Sequence, residues 1–285
     1  MPDTEFPRGS LAVVATPLGN PADITLRAIA TLRAADLVAA EDTRTARRLL
    51  AAHGISKPLV SYHEWNEAQR AEALLGKLEE GARVALVSEA GTPGLSDPGF
   101  DLVRLARRRG IRVFPVPGPS ALVSFLSVSG LPTDAFSFFG FPPSRSAARK
   151  KLFHSLAARP ETLIFYESPR RILDALRDAV ESLGDRPAAL GREMTKPHEE
   201  FLFGPLSEVH GLLSERTKVL GEICWGVAGS RGEDRRPEEH ALQEEIRQLL
   251  ARGLPLREAA RVLVTGRTLS VKEAYAMLLA AKGKG

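Results

Sequence analysis

Cysteine is almost missing from this sequence: its 285 residues hold one, Cys224. No internal disulfide can form, and a zinc site built on cysteines is excluded. The fold must rest on apolar burial, and at 44% of the chain the apolar residues suffice to fill cores without covalent or metal staples. Long apolar runs are missing too. None approaches the ~20 residues that cross a bilayer, and the opening MPDTEFPRGS lacks the basic and apolar regions of a secretory signal. A soluble, cytoplasmic protein with no membrane partner is expected. The six histidines are scattered with no pair four apart, so no histidine metal site is expected. No G-x-G-x-x-G follows the first apolar run and no G-x-x-x-x-G-K-[ST] occurs, which argues against the usual dinucleotide and NTP sites.

What charge there is lies unevenly. The net charge is +4, and from Arg231 onward 11 Lys/Arg face 8 Asp/Glu, so the last part of the chain carries +3 of it. A basic terminal module suits a polyanionic partner such as RNA. A solvated helical face accounts for the same charges equally well.

The first part of the chain alternates strand and helix patterns. Apolar runs at residues 11–15, 36–40, 58–62, 84–87 and 113–116 read as strands, and helical patterns fall between them at 43–52, 67–80 and 100–109. Ile24, Ala28, Ile29 and Leu32 mark a further helix face. This rhythm argues for an open sheet with helices on both faces. After Leu131-Pro132-Thr133 the pattern changes. An aromatic strand at 136–141, a basic helix at 144–158 and a strand at 163–166 precede a mostly antiparallel set at 188–191, 200–203 and 221–228. Arg145, Arg149, Lys150 and Lys151 on that helix read as a solvated face, or as an RNA-guiding patch. Residues 229–237 read as a charged linker, followed by helical patterns at 238–252, 255–264 and 270–281. The glycine turn at 265–269 makes the last two resemble a helix-turn-helix, and a plain helical cap is the alternative. The expected fold class is α/β, with domains at 1–130, 131–230 and a C-terminal helical module at 231–285.

Four strand ends are rich in Gly, Pro and small polar residues: 16–20, 40–44, 89–99 and 117–121. Any one of them could be a simple tight turn. Open α/β sheets bind ligands beyond the carboxyl ends of their strands, so four such loops on one sheet edge point to a cofactor cleft.

Glu89-Ala90-Gly91-Thr92-Pro93-Gly94-Leu95-Ser96-Asp97-Pro98-Gly99 and Pro117-Gly118-Pro119-Ser120-Ala121 resemble motifs of the tetrapyrrole methylase superfamily. Within it the chain is most similar to the 16S rRNA cytidine 2′-O-methyltransferases. The likeness extends to residues 40–44, 61–64, 166–171 and 191–196, in order from Leu11 to about Gly229. It implies two α/β domains with an S-adenosyl-L-methionine cleft between them, and a small C-terminal helical module. It also implies a homodimer, and 16S rRNA or the assembled small ribosomal subunit as partner. Pro17, Ala90, Gly91, Thr92, Ser120 and Ala121 would contact the cofactor, with Tyr166 and Leu190 from the second domain. Glu89 stands where this family usually has Asp.

A ribose hydroxyl is a weak nucleophile, so a base at the strand ends is expected. Glu89, Asp42, Glu41 and His63 are the candidates, with Glu89 and His63 preferred. Arg44, Arg170, Arg171, Arg192 and Lys196 are the groups expected to grip RNA, with surface ion pairing as the alternative. Tyr62, Trp65 and Phe141 are candidates to stack a splayed base, although core packing suits Phe141 better. Two other activities fit less well. A tetrapyrrole methyltransferase has no need of the basic tail or of Ser168-Pro169-Arg170-Arg171, and a non-catalytic ribosome-assembly factor has no need of the strand-end loops.

Overall fold

Five short strands in the first part of the chain are almost continuously apolar, which suits burial on both faces of a parallel sheet. In a computed structural model describing residues 6–63, 65–230, 245–252, 254–264 and 270–282, they form that sheet. They are β1 (Ser10–Val14), β2 (Leu37–Ala40), β3 (Leu59–Ser61), β4 (Arg83–Val87) and β5 (Arg112–Val116). All pairings are parallel, in the order β3-β2-β4-β1-β5. Helices α1 (Leu26–Ala34) and α2 (Thr43–Ala52) bury Ala28, Leu32 and Leu50 against one face. Helices α3 (Glu67–Glu79) and α4 (Phe100–Arg108) bury Leu74, Leu75 and Leu102 against the other. Two of these helices begin on side-chain caps. Thr25 accepts the Ala28 N–H at 3.0 Å, and Asp42 accepts the Arg44 and Thr45 N–H groups. Because every strand runs the same way, the loops after β1, β2, β4 and β5 all emerge at one edge.

Helix α5 (Ala121–Val128) leads into a second sheet. Its strands are β6 (Phe136–Phe138), β7 (Thr162–Glu167), β8 (Pro187–Arg192), β9 (Glu200–Pro205) and β10 (Ile223–Val227), in the order β6-β7-β10-β8-β9. Only β6 and β7 pair in parallel. Helices α6 (Ser146–Leu156), α7 (Ile172–Leu183) and α8 (Leu206–Ser214) cover one face, over a core in which Phe165 stacks on Trp225 at 4.7 Å. The opposite face carries Ile164, Ala189 and Cys224 and receives Leu122, Phe125 and Leu126 of α5. Glycine makes that approach possible. A Cβ at Gly226 would lie 3.1 Å from Phe125, and one at Gly191 3.2 Å from it.

Three details differ from the sequence reading. The aromatic strand expected over 136–141 stops at Phe138, and Gly140 turns the chain at φ +61°. Helix α8 was not expected. Its apolar stripe is only Leu206, Val209 and Leu213, and burial of those three side chains stabilises it. Arg149 is not part of a solvated face. It is buried in an ion pair with Asp178 at 2.6 Å, which joins α6 to α7.

The chain separates into two compact units, one of residues 1–157 and 161–229, the other of 158–160 and 230–285. The second unit contains α9 (residues 245–251), α10 (Leu256–Leu263) and α11 (Val271–Lys282) around Ile246, Leu249, Leu263 and Leu278. A reciprocal Ser270–Glu273 capping box starts α11. The expected turn at 265–269, the linker over 231–237 and the helix start at 238–244 lie outside the described residues. Among the described residues, no helix is long and apolar enough to cross a membrane.

Candidate functional site

A cavity of about 340 Å³ lies within the first unit, where the carboxyl edge of the parallel sheet meets the second sheet. Leu18, Glu41, Ala90, Gly91, Thr92, Ser120 and Ala121 line it from the first sheet and α5. Phe141, Tyr166, Glu167, Met194 and Cys224 line it from the second. Its size falls in the range of small-ligand pockets, roughly 300–1,000 Å³.

Backbone and side-chain bonds fix its walls. Thr16 and Gly91 exchange N–H···O bonds of 2.8 and 3.0 Å, tying the loop after β1 to the loop after β4. Gly91 stands at φ +78°, and a Cβ there would lie 3.2 Å from Leu18. The Thr92 hydroxyl donates to the Pro119 carbonyl at 3.1 Å, which joins the loops after β4 and β5. Tyr166 Oη accepts the Leu122 N–H at 3.1 Å, so β7 closes on the first turn of α5. Burial pushes that phenol well above its ordinary range, and it stays protonated. Behind the lining, Glu67 Oε1 accepts both the Tyr62 hydroxyl at 2.9 Å and the Gly99 N–H at 3.1 Å, which ties the end of the loop after β4 to α3.

The lining is acidic. Glu41, Glu89, Asp97, Glu167 and Glu222 all border the cavity, and among the described residues no Lys or Arg does. Burial pushes the Asp97 carboxyl up to about 7, helped by the charges of Glu41, Glu222 and Glu89 and opposed by the Ser88 hydroxyl. Burial also raises Glu167, against the Ser168 N–H at 2.8 Å and the Arg171 guanidinium at 3.0 Å. Such a wall repels a polyphosphate and favours a cationic ligand.

The family model for tetrapyrrole (corrin/porphyrin) methylases matches residues 10–210. The ribosomal RNA small subunit methyltransferase I of Synechocystis sp. is 43% identical over 97% of this chain and 100% of its own length. The protein of that name from Escherichia coli O157:H7 is 46% identical over 89% of this chain and 88% of its own. The chain belongs to the ribosomal RNA small subunit methyltransferase I family. Solved structures share the fold at lower identity. A uroporphyrin-III-C-methyltransferase from Thermus thermophilus has a TM-score of 0.54 at 24% identity, over 77% of this chain and 94% of that one. A cobalt precorrin-4 methyltransferase has a TM-score of 0.57 at 16% identity, over 77% and 95%.

In this methyltransferase, Glu89, Ala90, Gly91, Thr92, Ser120, Ala121 and Tyr166 come together at the cavity, as the strand-end loops suggest. Pro17 is not in the lining, where its neighbour Leu18 stands instead. The Leu190 side chain is buried in the core of Phe165 and Trp225, on the other face of the second sheet. His63 is also outside the lining. Its N–H donates to Asn66 Oδ1 at 2.9 Å, and its ring lies against the Asn66 amide at 3.2 Å. Among the basic residues, Arg171 is held by Glu167 and the Pro142 carbonyl, Arg192 by Glu200 at 2.8 Å, and Lys196 by Glu193 at 2.9 Å. Arg44 is exposed and turns back on Asp42 at 3.2 Å. Arg170 is exposed, with no ion pair among the described residues. Tyr62 is buried, whereas Trp65 is 94% exposed. Phe141 is exposed, edge-on to Tyr166 at 5.7 Å. Sequence reasoning did not single out Asp97, Glu167 or Glu222, because only the fold reveals their common cavity.

Proposed function

We propose that the chain transfers the methyl group of S-adenosylmethionine to the 2′-oxygen of a cytidine ribose in 16S ribosomal RNA. The observation that carries this reading is the acidic cavity at the carboxyl edge of β1, β4 and β5, lined by carboxylates and, among the described residues, by no basic side chain. S-adenosylmethionine supplies a methyl group already activated by a positive sulfur, and an anionic wall favours that charge. Gly91 and Ala90 admit the donor close to the backbone, while Thr92, Ser120, Ala121 and Tyr166 hold it from the loops after β4 and β5 and from β7. The protein's work is alignment and exclusion of water, which fixed loops provide.

The identity of the acceptor draws on the relatives, whose names specify small-subunit ribosomal RNA and whose likeness spans nearly the whole chain. A Thermus uroporphyrin-III C-methyltransferase of the same fold, with a TM-score of 0.53 and 20% identity, is complexed with S-adenyl homocysteine, which supports the donor. RNA phosphates would stay outside the acidic cavity, where exposed Arg170 and Arg44 offer guanidinium forks. The basic residues of the second unit would add non-specific affinity. Mass mapping of 16S rRNA from cells lacking this protein tests the proposal. One cytidine should lose its ribose methyl and regain it on complementation. Persistence of every ribose methyl would contradict it.

A further inference from the structure

We infer that Phe141 is the platform on which the base of the methylated nucleotide stacks once that nucleotide has left its helix. The inference rests on the functional reading above and adds to it the group that receives the base.

Of the three rings singled out in the sequence, only Phe141 stands at the cavity. Tyr62 is buried and its hydroxyl is bonded to Glu67. Trp65 is 94% exposed but is not part of the lining. Phe141 lines the cavity and is still 55% exposed, so its ring stands at the opening. Single exposed apolar side chains are ordinary on a protein surface. This one differs because the backbone on both sides of it is fixed. Gly140, just before it, turns at φ +61°, and its carbonyl accepts the Tyr166 N–H at 2.9 Å. Pro142 and Pro143, just after it, have their φ set by their rings. The Pro142 carbonyl accepts from the Arg171 guanidinium, and the Pro143 and Ser144 carbonyls accept from Arg149 at 3.4 and 3.2 Å. Both guanidinium groups are held in turn, Arg171 by Glu167 and Arg149 by the buried Asp178. The ring itself meets Tyr166 edge-on at 5.7 Å. A ring fixed before its ligand arrives loses little freedom on binding.

The neighbours of Phe141 specify the ligand. Leu95, 43% exposed, lines the same cavity. The next residue, Ser96, has its hydroxyl where a Cβ on Gly140 would approach it to 2.8 Å. Two loops that meet there thus present Leu95 and Phe141 to one opening. Ser168 and Pro169 also line the cavity, and Arg170 after them is exposed with no ion pair among the described residues. An open aromatic ring with a guanidinium fork nearby suits unpaired nucleic acid, whose base stacks while its phosphate meets the fork. A nucleotide still stacked in a helix could not bring its ribose into a cavity between two sheets. It has to leave the helix, and a ring at the opening replaces the stacking it gives up.

The test uses the full chain with S-adenosylmethionine and small ribosomal subunits from a strain lacking this protein. Phe141→Ala should lower kcat/KM for subunits roughly 5- to 150-fold, mostly through KM. Phe141→Leu, which keeps the bulk without the ring, should fall as far. Phe141→Tyr should stay within about threefold of wild type. S-adenosylhomocysteine affinity, read by calorimetry, should stay within about threefold in all three variants. In subunits rebuilt with an abasic ribose at the methylated position, wild type and Phe141→Ala should become equal. Phe141→Ala or Phe141→Leu within about twofold of wild type overturns the role of the ring alone, as does a difference that persists on the abasic subunits. Weakened S-adenosylhomocysteine binding in Phe141→Ala and Phe141→Leu overturns it too, by placing the ring against the methyl donor. A wild type that labels no RNA overturns the functional reading together with it.

Discussion

Asp97 shows how surroundings distant in sequence change the proton affinity of a carboxyl group. Its carboxyl is raised in the folded chain from 3.8 to about 7, so its ionised form is disfavoured by folding. The sign follows from linkage. Below about pH 3.8 the group is protonated folded and unfolded, and costs nothing. Between about 4 and 7 the unfolded chain ionises first, and stability falls as pH rises. Asp97→Asn should therefore be more stable than wild type at pH 8, by about 1–2 kcal/mol after allowance for partial exposure, with no gain at pH 4. Urea unfolding at the two pH values checks this. Tyr166 gives a second expectation. Tyr166→Phe removes the acceptor for the Leu122 N–H, and should cost about 1 kcal/mol and weaken S-adenosylmethionine binding about fivefold by calorimetry. The sequence made Gly91, Thr92, Ser120 and Tyr166 legible as a group because strand-end loops have a local signature. It did not single out Asp97, because Glu41 and Glu222 come near that carboxyl only in the folded chain. Arg171, Arg192 and Lys196 looked like RNA grips, yet the nearby carboxylates of Glu167, Glu200 and Glu193 hold all three.

The elements themselves were more legible than the side chains. The five parallel strands follow from apolar runs between helical patterns, and the Asp42 cap follows from its place before α2. Helix α8 escaped because three apolar positions are too few to mark a helix without the sheet beneath it. Arg149 escaped because its neighbours Lys150 and Lys151 made the segment look uniformly solvated, whereas Asp178 on α7 draws Arg149 inward. That pair yields an element-scale prediction. Asp178→Ala leaves the Arg149 guanidinium buried without its carboxylate, and should destabilise the first unit by roughly 3–5 kcal/mol. Thermal unfolding followed by circular dichroism reads the loss. Asp174→Ala on the same helix serves as the control, because Asp174 pairs with Arg177 at the surface and its loss should cost under about 1 kcal/mol.

For the whole molecule, the chain divides into one unit that holds the cavity and another that holds the basic last residues. The cavity and every residue assigned to the methyl donor lie in the unit made of residues 1–157 and 161–229. The later residues carry most of the net positive charge. A chain ending at Gly229 should keep its S-adenosylmethionine affinity within about threefold, yet methylate small subunits at least tenfold more slowly at physiological salt. Filter binding and methyl-transfer rates on the two lengths of chain check this. The proposed function requires the acidic cavity to receive the methyl donor. A crystal structure of the full chain with S-adenosylhomocysteine tests it most directly. One ligand per chain is expected, bounded by Gly91, Thr92, Ser120 and Tyr166, with its sulfur facing the carboxylates. A ligand bound elsewhere, with this cavity holding only water, would contradict it.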